Sequence, residues 1–116
     1  MESYLNYTIE DHEGIRIVNL NGNISNSSKN ELSRLIGSLI AKGNVILNMK
    51  GVDVVTSSGI NVLVNLSIES RQKSKRLLLL GAGENVRKMI DVLDLYEYFI
   101  MVDSVEEGQM KLKYYL

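Results

Sequence analysis

Two short apolar runs constrain this chain more than any other feature. Asn44-Val45-Ile46-Leu47-Asn48-Met49 reads as a strand buried on both faces, and Leu77-Leu78-Leu79-Leu80 as a second apolar strand. Segments of helical periodicity stand before the first, between the two and after the second. Strand and helix in regular alternation is the rhythm of parallel α/β units. The expected fold class is therefore α/β: a mixed, mostly parallel sheet of four to five strands with about four helices. No linker, repeat or low-complexity stretch interrupts it, so residues 1–116 read as one domain.

The flanking elements follow from their periods. Leu5, Tyr7 and Ile9 alternate with Asn6 and Thr8, and Ile15 to Leu20 forms another strand, so the polar stretch Glu10 to Gly14 reads as a hairpin turn. Ser28-Lys29-Asn30-Glu31 has the spacing of a capping box. Leu32, Leu35, Ile36, Leu39 and Ile40 then line one helical face, which Lys42-Gly43 closes. A second helix places Ile60, Leu63, Val64 and Ile68 on one face, widened by Val62 and Leu66, and dissolves into Glu69 to Arg76. Val86, Met89, Ile90 and Leu93 mark a third. A last strand is expected over Tyr98 to Val102, and Ser104-Val105-Glu106-Glu107 repeats the capping-box spacing ahead of a terminal helix reaching about Leu116.

In parallel sheets the loops at the carboxyl ends of the strands gather on one edge, where sites usually form. Gly22 to Ser27, Gly51 to Ser58 and Gly81 to Gly83 are expected to meet there.

Composition removes several chemistries. The 13 Lys and Arg nearly balance 14 Asp and Glu, giving a net charge of −1 and no bulk electrostatic reason to bind nucleic acid or an anionic membrane. With no Cys, disulfides and thiol catalysis are excluded, and a single His removes multi-histidine metal sites. No cofactor or metal is expected. The tyrosines have no basic patch beside them in the sequence, which suggests packing and not base stacking. Met1-Glu2-Ser3-Tyr4 lacks the start of a signal peptide, and no apolar run approaches the roughly 20 residues of a membrane helix. The expected location is the cytoplasm, without membrane insertion.

The most unusual stretch is Val54-Val55-Thr56-Ser57-Ser58-Gly59-Ile60, three hydroxyl residues between a strand exit and an apolar helix. One reading is a helix cap, because Ser and Thr there accept bonds from the first free amides. Another is a phosphorylation site, since the same amides and the positive end of the helix dipole tolerate a phosphate. A cap can also be a switch. A nucleophilic serine lacks the first glycine of a nucleophile elbow, and His12 falls in a hairpin turn at the far end of its strand. Gly81-Ala82-Gly83 has no third glycine at Val86 and reads as a tight turn, not a dinucleotide loop.

From Val45 to Leu63 the chain resembles the STAS domain, specifically the bacterial anti-sigma factor antagonists. In that family a strand ends in Asp-Leu, and Asp-Ser-Ser/Thr-Gly-Leu-Gly opens the second helix. Here these read Asn48-Met49 and Thr56-Ser57-Ser58-Gly59-Ile60-Asn61. Gly22-Asn23-Ile24-Ser25 is similar to the family's Gly-Glu-Leu-Asp, Val86 to Leu95 to its third helix, and Asp103 to Gly108 to its last helix start. The resemblance implies a STAS-like, non-enzymatic regulator. Its unphosphorylated form binds an anti-sigma factor that is a serine kinase and so frees a sigma factor. Phosphorylation by that kinase switches it off, and a metal-dependent phosphoserine phosphatase resets it.

The carry-over puts the phosphate on Ser57, with Ser58 and Thr56 as neighbouring acceptors. The implied partner surface is Asn23, Ser25, Asn26, Val54, Val55, Thr56, Ser57, Ser58, Gly59 and Asn61. Three acidic positions of the family are neutral here, at Asn48, Thr56 and Ser25, and Asn61 replaces a glycine. The alternative is a phosphorylation-independent STAS scaffold or a module attached to a transporter.

Overall fold

A computed structural model describes residues 5–115. Among them are five strands forming one sheet in the order β1-β2-β3-β4-β5. β1 (Asn6–His12) and β2 (Ile15–Asn21) pair antiparallel, while β3 (Val45–Gly51), β4 (Leu77–Leu80) and β5 (Ile100–Val102) continue the sheet in parallel. Three helices connect them, α1 (Lys29–Ile40), α2 (Ser57–Gln72) and α3 (Glu84–Val92), and α4 (Val105–Tyr115) follows β5. This is the mixed, mostly parallel α/β architecture expected from the alternation. The expectations placed on residues 1–4 and on Leu116 lie outside the described residues.

β4 and the first half of β3 are apolar because both their faces are covered there. Val45, Leu47, Leu77 and Leu79 pack with Leu32, Ile36 and Ile40 of α1, Ile60, Leu63 and Leu66 of α2, and Val86 and Ile90 of α3. The alternate residues Ile46, Leu78 and Leu80 pack under Leu112 of α4. Strand period 2 thus feeds two helical layers. α4 covers only part of its face. Toward β1 that face carries a polar ladder: Asn48 Nδ2 donates to Asn19 Oδ1 at 2.7 Å, and Asn19 Nδ2 donates to Glu10 Oε2 at 2.7 Å and Thr8 Oγ1 at 3.2 Å.

The ladder explains why position 48 is an amide. With Asn19 spending its N–H on Glu10, its carbonyl needs a donor, and a carboxylate at 48 supplies none. Asn48→Asp is expected to destabilise the fold by about 1–2 kcal/mol, the range for an unmet polar group in a half-buried site. Glu10→Gln adds a donor at the other end, lets the Asn19 amide turn over, and is expected to recover most of that loss. Urea unfolding of the wild type, both single variants and the double variant measures the coupling. An equal cost of Asn48→Asp in either background would refute the account. The Asn19 amide, and then His12, also hold the Glu10 carboxyl below its ordinary value. Their contribution is therefore present above that ordinary value and is lost as pH falls through the lowered one.

Local differences from the sequence reading each have a cause. Glu10, Asp11 and His12 belong to β1, and the hairpin closes on Glu13 and Gly14 alone, at φ 56° and 87°. Two positive φ values are what a type I′ turn requires. β1 is polar and exposed there because no helix covers it. Ser28 precedes α1 but does not cap it: its hydroxyl donates to Asn23 O at 2.8 Å and accepts from Ser25 N–H at 3.0 Å, so the capping box is absent. α1 ends at Ile40 with no basic residue in its last turn. α2 runs on to Gln72, past the expected solvated end. Its inward positions include Ser67 and Ser70, not Ile68, because the serine hydroxyls have partners in Tyr98 O and Ser67 O. β5 begins two residues late, since Tyr96–Tyr98 forms a short 3-10 turn. At α4 the expected pair does form in shifted register: Ser104 Oγ accepts from Glu107 N–H, and Glu107 reaches back to Asp103 N–H, not to that of Ser104. That bond holds the Glu107 carboxyl below its ordinary value.

Candidate functional site

The loops after β2 and β3 do meet, and backbone bonds stitch them together. Gly22 N–H donates to Gly51 O at 3.1 Å, Ile24 N–H to Val54 O at 3.0 Å, and Thr56 N–H to Ile24 O at 2.9 Å. Ile24 and Val55 form a parallel bridge and are both buried. Two glycines make the approach possible. A Cβ on Gly51 would fall on the Asn21 side chain and the Leu20 carbonyl, and one on Gly59 would lie 2.7 Å from Ile24 O. The loop after β4 joins the same edge, where Gly81 (φ 66°) lies against the Lys50 side chain. All three expected loops are thus brought to one edge.

The three hydroxyls at the start of α2 are not equivalent. Thr56 is the N-cap, its Oγ1 accepting from Gly59 N–H at 3.2 Å. Ser58 is half-buried, with its Oγ 3.3 Å from Thr56 Oγ1. Ser57 is exposed, and among the described residues its hydroxyl has no hydrogen-bond partner. Cap and free hydroxyl are therefore separate residues. One satisfies the helix, and the next faces solvent at the positive end of the dipole.

The other residues assigned to the surface divide by burial. Asn23, Asn26, Val54 and Asn61 are exposed, Val54 at 46%. Ser25 is half-buried, its hydroxyl 3.0 Å from that of Ser27. Val55 and Gly59 are buried, so they hold the loops in place and present no side chain. His12 is at the hairpin, across the length of β2 from this edge, with its ring on Glu10 at 3.2 Å. A seven-residue strand spans roughly 20 Å, so His12 is no base for Ser57.

Sequence reasoning missed one component. Ser57 stands at the rim of a groove of about 370 Å³ whose other walls are Asn85, Lys88, Met89, Val92 and Leu93. Val92 is 75% and Leu93 50% exposed, although the period of α3 assigns Leu93 to the core. α3 ends at Val92, so Leu93 no longer follows the helical face that buries Val86 and Ile90. The exposed pair continues the apolar lining of the groove beside the Ser57 hydroxyl.

Fold and site together define a small α/β module that offers an exposed hydroxyl beside an apolar groove. The sequence model of the STAS domain matches residues 6–108, and the chain belongs to the STAS domain family. It is similar to BtrV of Bordetella bronchiseptica, which is named as an anti-sigma factor antagonist, with 22% identity over 91% of this chain and 93% of that one. Among solved structures it is similar to an anti-sigma factor antagonist from Mycobacterium paratuberculosis (TM-score 0.82, 18% identity, 95% of each chain). It also resembles the antagonist SpoIIAA in its unphosphorylated form (TM-score 0.74, 20% identity, 96% of this chain and 98% of that one). SpoIIAA of Bacillus is solved in a phosphorylated form as well (TM-score 0.69, 20% identity, 91% and 97%).

Proposed function

We propose that this protein is an anti-sigma factor antagonist working in the cytoplasm, a binding protein and not an enzyme. In its unphosphorylated form it engages an anti-sigma factor of the serine kinase class and so releases a sigma factor. Phosphorylation of Ser57 ends the complex, and a phosphoserine phosphatase restores it. The observation that carries this reading is the division of labour at α2: Thr56 caps the helix, leaving the Ser57 hydroxyl exposed beside an apolar groove and without a partner among the described residues. A phosphate there adds nearly two negative charges, which the free amides tolerate. The same charges work against an apolar partner surface that must be desolvated to bind. Fold and switch are thereby uncoupled.

The neutral residue at 56 fits this scheme, because threonine and aspartate both cap. In the test, the protein is incubated with the anti-sigma kinase of its own organism and ATP, and its intact mass is measured. One added phosphate is expected on the wild type and none on Ser57→Ala. Unchanged phosphorylation of Ser57→Ala would move the site elsewhere, and none on the wild type would favour a constitutive scaffold.

A further inference from the structure

A second surface lies on the far side of the sheet from the β1 hairpin. β5 is an edge strand. Because Gly81 N–H donates to Val102 O at 3.0 Å, Val102 faces β4, and strand alternation turns the N–H and C=O of Met101 to the free edge. Along that edge runs a cleft of about 480 Å³, walled by Arg71, Arg76, Tyr96, Glu97 and Lys111, with Ile100 and Met101 as its floor. Three cations face two carboxylates, Glu97 in the wall and Glu107 on Lys111, which leaves the two arginines in surplus. Neither arginine has a carboxylate within 4.0 Å among the described residues; Arg71 donates to Glu97 O and Arg76 to Lys75 O. Each guanidinium retains several N–H donors. Lys111 pairs with Glu107 at 3.5 Å and donates to Met101 O at 3.3 Å, a weak plug on the open edge.

From this we infer that the β5 edge binds an extended acidic segment of a partner protein. The segment adds to the sheet through Met101 and sets its carboxylates against Arg71 and Arg76. Backbone pairing at an open edge supplies affinity, and charge supplies selection. A second copy of this chain is disfavoured, since edge-to-edge pairing would bring together two pairs of arginines that have no carboxylate partner among the described residues. A nucleic acid is disfavoured by the small number of cations and by Tyr96 being the one exposed ring among the cleft's described residues. The surface is separate from Ser57: Arg71 lies fourteen residues further along α2, about 21 Å at the helical rise.

The test uses the full chain and a fluorescent peptide that alternates Glu with Val. Saturable binding is expected by anisotropy, with slowed hydrogen exchange at the Met101 amide. Arg76→Glu is expected to weaken binding about tenfold or more, and Ser57→Ala to leave it unchanged. Arg76 is preferred because Arg71 also holds the 3-10 turn; Arg71→Gln with unchanged circular dichroism provides the second variant. The same peptide with Pro for Val, or Lys for Glu, is expected not to bind. Absence of binding, equal binding of the Pro peptide, or displacement by inorganic phosphate or single-stranded DNA as effective as by the unlabelled peptide would each overturn the inference.

Discussion

Ser57→Asp is expected to lower affinity for the anti-sigma factor by about a hundredfold or more, close to 3 kcal/mol. The fold is expected to be indifferent to it. Position 57 is the first residue of α2, where a carboxylate meets free amides and the positive dipole end and is neutral to mildly stabilising. No buried group loses a partner, because the native hydroxyl has none among the described residues. Calorimetric titration against the partner, alongside thermal unfolding, separates the two effects. Wild-type affinity in Ser57→Asp would show that charge at this position is no switch. A parallel loss of stability would show instead that Ser57 supports the fold, which its exposure argues against.

Gly59→Ala is expected to do the opposite: it leaves the Ser57 hydroxyl untouched and displaces what surrounds it. The added Cβ would meet Ile24 O at 2.7 Å, Ile24 Cγ2 at 2.8 Å and Val55 Cγ1 at 3.1 Å. Two of these belong to the loop stitched to the start of α2, and none is the free end of a flexible chain. Overpacking of this kind costs about 1–3 kcal/mol. The loop is expected to move outward and weaken the Thr56 N–H to Ile24 O bond. Urea unfolding reads the destabilisation, and amide exchange at Ile24 and Thr56 reads the displacement. Partner affinity should fall as well, because Asn23 and Asn26 lie on the loop that moves. Unchanged stability would mean that the loop yields without resistance and that Gly59 does not fix the site.

The two serines that precede helices illustrate what spacing can and cannot reveal. Ser28 and Ser104 both stand three residues before a glutamate, and both predict a capping box. Ser104 accepts the bond from Glu107 N–H at 3.0 Å. Ser28 is buried under its own loop, and the Asn23 carbonyl and Ser25 amide claim its hydroxyl instead. The motif is the same, and the neighbourhood decides. Likewise Leu93 keeps the period of α3 in the sequence yet is half exposed, because the helix has ended before it.

The sequence by itself determined the alternation of strands and helices, the edge at which the loops gather, and the hydroxyl run that marks the start of α2. All of these rest on local signals, namely hydrophobic period, turn residues and cap residues. Which hydroxyl is free was decided in part by tertiary structure, since Thr56 caps locally on Gly59 N–H and also reaches Ile24, thirty-two residues away. So was the groove beside Ser57, which needs α3 to lie against the start of α2. The clustering of Arg71, Arg76 and Lys111 around Tyr96 is likewise invisible in a nearly neutral sequence. Charge balance is a property of composition, whereas a charged surface is a property of which distant residues the sheet order makes neighbours.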